Sequence, residues 1–477
     1  MNTISSSSSI KIAAQVALGF LIALLIGSII FWKERMLFSD AAFISFRIIN
    51  YGTLQIQVDR YGAFITQLFP YLASKAHLPL ASVLLWYSIS FNLFYLVVGG
   101  LLYRLRQYSL TILLAFYLSL YVSDTYFWTN NEVHQGIAWM LLNFGLLQYW
   151  YQRNEHHSKR FLLFALPVFT ILTFISIYTH PLVMIVFGFL WVFFVFAQQP
   201  FYRSRISWLF ITIIILIAVV KFLDSQNNWY DGGLLHNITH TTLRAVLKTF
   251  TSSLAQDFIQ GGWNNYWLLW LLFFSGSIAL WLQKKFLLFT LTLFSCLAYF
   301  ILICLTFYPS KPFYIESEWM SISFMGTVGF VYYVLPKMSN KLVVLLMITV
   351  FTIRLGFICN SANLFKERIQ FLETTLDGMR QKKVTKLIVV NDHNQLEDKL
   401  LLTWGLPYET LMLSAMKRDT PNRTMSYLLK EKINEANALQ TKDALMTAFG
   451  PFNHQNINSY YFQLDTTTFY KVQELNN

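Results

Sequence analysis

Charge is scarce in these 477 residues. Only 13% are Asp, Glu, Lys or Arg, against about a quarter in an ordinary soluble domain, and a fully solvated globular chain is excluded. Cysteine is scarcer still. Cys296, Cys304 and Cys359 all lie in or beside apolar runs, and an odd count at such places builds neither a disulfide framework nor a CxxC metal site. The patterns GxxxxGKS/T, HExxH and GxSxG, and a GxGxxG following a strand, are absent, so the common nucleotide-binding, zinc-protease and serine-hydrolase signatures are missing. No internal repeat is visible, which withholds support from an inverted-repeat transporter. Hydrocarbon is what remains: 55% of residues are hydrophobic, 18% are aromatic and the mean hydropathy is +0.46. The chain reads as an α-helical polytopic membrane protein. Its net charge of +12 does not point to nucleic acid, because the basic residues fall largely between apolar runs, facing cytosol or lipid head groups.

A bilayer crossing takes about 20 apolar residues. Runs of that kind predict about 11 transmembrane helices, at 12–32, 80–103, 108–123, 134–151, 161–178, 181–198, 207–223, 265–283, 286–308, 319–336 and 341–359. The first is longer than a signal-peptide core and is followed by no small-x-small cleavage site. Alternate loops are basic (Arg104/Arg106, Arg153/Lys159/Arg160, Arg203/Arg205, Lys284/Lys285, Lys337/Lys341), and the loops between them carry Asp124 and Glu132, then Lys311, Glu316 and Glu318. By the positive-inside rule the N-terminus is cytoplasmic and the C-terminus outside. The expected organisation is a cytoplasmic head (1–11), a membrane domain (12–359) with a large first outside loop (33–79), and a C-terminal exoplasmic α/β domain (360–477). In that last domain the pattern predicts helices at 361–383, around 396–416 and at 428–448. Strands are expected at Lys386–Val390, near Tyr460–Leu464 and at Thr467–Val472.

Polar signals gather on one side. Asp40 follows the first span within Phe38-Ser39-Asp40-Ala41-Ala42-Phe43, and an acid held near hydrocarbon is a functional suspect; the alternative is that Ser39 and Asp40 cap an interfacial helix. Asp59 and Arg60 share the first loop, Asp124, Asn130, Asn131, Glu132 and His134 the second, and His180 the turn before Pro181. Glu316 and Glu318 stand at the mouth of the tenth span and Arg354 near the outer end of the last. Singly, each has a plain structural explanation: a surface ion pair for Asp59 and Arg60, loop polarity for Asp124, Glu132 and the glutamates, turn chemistry for His180, an interfacial site for His134, a snorkelling side chain for Arg354. Together, carboxylates with histidine suit general-base work or an oxygen-rich divalent site, so a divalent metal is possible. An arginine on the same face suits a lipid phosphate.

With these residues in place, the chain resembles the GT-C superfamily of membrane glycosyltransferases, which includes protein O-mannosyltransferases, aminoarabinose transferases and oligosaccharyltransferase catalytic subunits. The likeness is one of layout: one span, a large first outside loop with an early acid, many further spans and an exoplasmic tail. By position Asp40 matches the family's catalytic acid, Asp124 and Glu132 match its second-loop acids, and Glu318 echoes its late-loop glutamate. The family's acidic pair is absent, since Ala41 follows Asp40, and so is a Trp-Trp-Asp motif; transfer to asparagine is therefore not implied. Two short tripeptides, Asn237-Ile238-Thr239 and Asn422-Arg423-Thr424, match an acceptor pattern.

The resemblance implies a glycosyltransferase in a bacterial inner (plasma) membrane. It would move a sugar from a polyprenyl-phosphate-linked donor to a lipid, glycan or cell-surface acceptor, with no nucleic acid as partner. Asp40 is the expected catalytic base. Asp59, Arg60, Asp124, Glu132, His134, His180, Glu318 and Arg354 are the expected substrate-binding residues, with Arg354 joined by Arg60 on the carrier phosphate and Glu132, His134 and His180 on the acceptor side. The rivals are a lipid-linked glycan flippase or other transporter, and a non-catalytic envelope assembly subunit. A flippase needs polar groups deep within several spans, whereas here charge within the spans is nearly confined to Lys221 and Arg354, near span ends.

Overall fold

The computed structural model describes residues 8–130, 132–153, 158–228, 230–233, 241–307, 311–391, 395–429 and 442–474. Most of the expected head, Asn131, the Asn237-Ile238-Thr239 tripeptide and the middle of the helix expected over 428–448 lie outside the described residues.

Among the described residues, seven helices are long and apolar enough to cross a membrane: Ser8–Ile30, Leu80–Arg104, Phe161–Thr179, Ser207–Asn227, Phe286–Thr306, Pro312–Lys337 and Asn340–Gln381. A pair bent by 89°, Leu243–Asn264 with Trp267–Leu282, passes the same test when taken as one span. The chain is thus a helical integral membrane protein. At the other expected spans stand Glu132–Arg153, which is less apolar, and the shorter helices Tyr108–Tyr117 and Val183–Phe196. Ten residues of helix rise only about 15 Å, half the hydrocarbon thickness.

Burial sorts these helices into a centre and a rim. Pro312–Lys337 has 89% of its most apolar window inside the protein, and Ser207–Asn227 only 22%. The rim helix turns Trp208, Ile215 and Leu216 outward, as lipid contact requires. At the centre, Gly276 lets the helix Trp267–Leu282 approach Pro312–Tyr333 closely, for a Cβ there would meet the Phe330 amide nitrogen at 2.5 Å. Small residues bring membrane helices together in this way.

The helices expected separately at 341–359 and 361–383 are one. Asn340–Gln381 runs unbroken for 42 residues, about 63 Å. Its buried residues continue at three- and four-residue steps through the junction (Phe351, Arg354, Ile358, Ala362, Phe365). The polar stretch Asn360-Ser361 changes what the helix faces without supplying a proline to end it.

The tail beyond it carries a three-stranded parallel sheet of order β2-β1-β5, made of β1 (Lys386–Asn391), β2 (Thr424–Leu429) and β5 (Lys471–Glu474). A separate antiparallel hairpin pairs β3 (Ala444–Thr447) with β4 (Gly450–Asn453). Strands therefore occupy both described ends of the 428–448 stretch, where a helix was expected; Thr424–Leu429 pairs along all of β1, and this non-local pairing overrides the local pattern. Of the late strands, only the second forms, displaced to 471–474. Asp465 breaks the segment by accepting hydrogen bonds from the Thr467 amide (2.8 Å) and the hydroxyls of Thr385 and Thr468 (both 2.6 Å). These donors outweigh partial burial and hold its carboxyl well below the usual range.

The tail is fastened to the first loop. Asn458 donates to Asn50 Oδ1 (2.6 Å) and to the Ile49 carbonyl (3.0 Å), and Tyr461 to the Leu78 carbonyl (2.9 Å). A cavity of about 630 Å³ lies where first loop, second loop, spans and tail meet.

Candidate functional site

Asp40 stands in the first turn of the helix Ser39–Tyr51. No side chain caps that helix; Asp40 Oδ2 instead accepts the Trp128 indole N–H at 2.7 Å. The capping alternative is set aside. Burial pushes the Asp40 carboxyl up to about 6, with Trp128 and Arg60 pulling it down and Glu132 adding to the rise. A carboxyl in that range is a serviceable base at neutral pH.

The backbone before Asp40 is held in a costly shape. Ser39 has φ +33°, a left-handed conformation that non-glycine residues resist. Its amide donates to Glu409 Oε1 at 2.8 Å, and Glu409 is itself buried and paired with Arg368 at 2.5 Å. Arg368, on the long helix, also donates to the Leu37 carbonyl (3.1 Å). Gly405 makes room for this, since a Cβ there would stand 2.6 Å from Ser39 Cα. Spans and tail thus jointly fix the residue that precedes the acid.

The second loop is held from beneath. Glu316 accepts the amides of Ser123 (2.9 Å) and Thr125 (2.8 Å) and the Tyr266 hydroxyl. Arg354 donates to the carbonyls of Ser119 (2.9 Å), Val122 (2.7 Å) and Asn265 (2.5 Å) and to Ser123 Oγ (2.9 Å). This corrects the expectation for Arg354. It is fully buried, does not line the cavity, and has a guanidinium occupied by protein acceptors, so it holds a loop and not a carrier phosphate. That loop delivers Trp128 and Asn130 to Asp40, with Asn130 Nδ2 donating to the Asp40 carbonyl at 3.4 Å.

Five of the expected residues meet in the cavity: Asp40, Arg60, Glu132, His180 and Glu318. Arg60 Nη1 lies 2.7 Å from Glu132 Oε2 and Nη2 3.2 Å from Asp231 Oδ1, with Tyr230 beside its plane at 5.3 Å. Burial opposes its charge, but Glu132 and Asp231 outweigh burial and raise its pKa further. His180 accepts the Leu182 amide at Nδ1 (3.2 Å), which leaves Nε2 as its N–H in the neutral ring. Burial, then Arg60 and Lys221, push its pKa well down, so the ring is neutral at pH 7. Glu318 is 4% exposed, and its Oε2 has no partner among the described residues.

Three expected residues stand elsewhere. Asp59 is exposed and accepts the Tyr61 hydroxyl at 3.2 Å. Asp124 opens a short turn behind the cavity wall, where burial raises its pKa. His134 pairs through Nδ1 with the Tyr117 hydroxyl at 2.9 Å and borders a separate small hollow. Among the described residues, no three His, Cys, Asp or Glu side chains stand close enough together to hold a metal ion.

Other site residues were not foreseen. Trp128 lies between the two second-loop signals, Asp124 and Asn130, and an indole there was a legible donor. Arg47 is seven residues after Asp40, on the same helical face. Asp231, Trp404, Tyr408 and Phe449 gave no signal, because only the fold brings their segments to the cavity. No family model, no curated protein and no solved structure matches the chain.

Proposed function

We propose that this protein is a membrane glycosyltransferase of GT-C type. It takes a sugar from a polyprenyl-phosphate-linked donor and passes it to a lipid, glycan or cell-surface acceptor on the outer side of a bacterial inner membrane. The observation that carries this is Asp40: an acid raised to about 6, on a helix fixed from both sides, in a cavity of about 630 Å³ between spans and tail. In the step proposed, the acceptor hydroxyl oxygen bonds to the anomeric carbon as the bond from that carbon to the carrier phosphate oxygen breaks. The phosphate leaves with the electron pair, and the hydroxyl proton passes to Asp40. Glu132, Arg60, His180 and Glu318 offer donors and acceptors suited to sugar hydroxyls, and holding both reactants there supplies much of the acceleration.

The layout supports the same assignment. The eleven crossings would be the seven long helices, the bent pair, Glu132–Arg153, and the stretches 108–123 and 181–198, in which the helices Tyr108–Tyr117 and Val183–Phe196 supply part of each crossing. The loop charges then put cavity and tail outside.

The test is sugar transfer in isolated membranes, with a panel of radiolabelled polyprenyl-phosphate sugars, for wild type beside Asp40→Asn at matched expression. Transfer is expected to fall by about 10²–10⁴-fold in the variant, the usual worth of a general base. Equal transfer in both rejects Asp40 as the base; no transfer from any donor by the wild type rejects the glycosyltransferase assignment.

A further inference from the structure

The two ends of the cavity differ in charge. At the span end, Asp40, Glu132 and Glu318 line the wall, and the cation there, Arg60, is already held between Glu132 and Asp231. At the tail end the wall is aromatic, built from Phe43, Tyr51, Trp404, Tyr408, Phe449 and Phe452, and it contains Arg47. The Arg47 guanidinium lies over two of these rings, 5.3 Å from the centre of Phe43 and 5.5 Å from that of Tyr51. No carboxylate pairs with it among the described residues. Arg60, Arg368 and Arg380 each have such a partner, and Arg354 is surrounded by carbonyls. Among the described residues, Arg47 alone of the cavity's cations has no carboxylate partner, and it stands on a half-buried wall.

We propose that Arg47 is an anion-binding group that takes a phosphate of the substrate at the tail end of the cavity, with the hydroxyl-bearing sugar turned towards Asp40. Ring contacts steady the guanidinium plane and leave its N–H edges free, the geometry that grips a phosphate with two parallel hydrogen bonds. The opposite orientation would set a phosphate beside the carboxylates of Asp40 and Glu132. One helix, Ser39–Tyr51, carries both groups, and seven residues separate them by about 10 Å of helical rise. Base and anion site therefore keep a fixed separation. The phosphate could belong to the donor's lipid carrier or to an acceptor that bears one; the chemistry at Arg47 is the same. The orientation of the sugar rests on the transferase assignment, whereas the anion site does not.

Binding to the purified full chain in nanodiscs tests this, followed by the fluorescence of Trp128 and Trp404 on the cavity wall. Farnesyl phosphate serves as the lipid probe, farnesol as its neutral counterpart and glycerol 3-phosphate as the soluble phosphate. Arg47→Gln is expected to weaken phosphate binding by ~10-fold or more, as loss of charge-assisted hydrogen bonds predicts. Arg47→Lys should restore part of it, and farnesol should bind wild type and variants alike. A loss confined to farnesyl phosphate assigns the site to the carrier; a loss confined to glycerol 3-phosphate assigns it to the acceptor. Should Arg47→Gln not fold, the ratio of farnesyl phosphate to farnesol affinity in Arg47→Lys gives the same readout. Equal phosphate affinity in wild type and variant, an equal loss for farnesol, or no binding of either phosphate to the wild type overturns the proposal. No transfer from any donor by the wild type, while phosphate binding still depends on Arg47, would remove the transferase assignment and leave the anion site standing.

Discussion

The second loop and the tail hairpin both reach the cavity, and they are held very differently. Residues 119–125 are gripped by Glu316 and Arg354, two buried charges whose acceptors and donors are mostly backbone atoms of the loop. The hairpin tip is tied chiefly to itself: Thr447 Oγ1 donates to the Gly450 carbonyl (2.8 Å) and accepts the Phe449 amide (3.1 Å). Phe449 is 69% exposed and meets the rest of the wall through rings, 5.3 Å from Phe43 and 5.7 Å from Trp404. The end that orients the acid is over-determined, and the opposite end is adaptable. The proposed transfer calls for that division: reacting atoms must be placed within fractions of an ångström, whereas the outer part of an acceptor is better met by a wall that yields.

Breaking the rigid side should cost most. Arg354→Met leaves buried carbonyls without donors, at roughly 1–3 kcal/mol for each unsatisfied group. The thermal unfolding midpoint should fall sharply, and transfer with it, although Arg354 does not line the cavity. An unchanged midpoint would mean that the clamp is not what holds the loop.

A finer cut leaves the loop in place and removes one donor. With Asp40 as base, transfer requires the carboxylate, so the rate should be near its plateau at pH 7.5 and fall about ten-fold for each unit below about 6. Trp128 lowers the Asp40 pKa. Trp128→Phe should therefore move the acid limb of the pH–rate profile to higher pH, with little change in the plateau. A shift to lower pH, or none, would disconnect Trp128 from the base.

The adaptable side predicts the smallest effects. Phe449→Ala is exposed and should change stability by no more than ~0.5 kcal/mol. It should raise KM for the acceptor several-fold while leaving kcat close to wild type. A large fall in kcat with KM constant would show that the hairpin also shapes the reacting centre.

Some of this was legible in the residues. Asp40 stood out because the other polar signals gather on its side of the chain, and the seven long apolar helices follow from hydropathy alone. The role of Arg354 was not legible, since a charge near a span end looks the same whether it meets head groups or, as here, the carbonyls of Ser119 and Val122 some 230 positions away in the chain. Arg47 was hidden for the opposite reason: nothing marks a cation as unpaired until the acids around it are placed. The tail was misjudged at the described ends of 428–448 because β2 is specified by its non-local pairing with β1 and β3 by its hairpin partner β4, and both by little in their own pattern.

The unbroken helix Asn340–Gln381 gives the protein a stiff rod with one half in the lipid and the other under the site. Arg368, on its upper half, grips both the Leu37 carbonyl and Glu409, and through Glu409 the amide before Asp40. A rod of this kind does not absorb a change of tilt at the water interface; it carries the change upward. Membrane thickness, which helices accommodate by tilting, would thereby be coupled to the position of Asp40, making the bilayer a mechanical setting as well as a solvent.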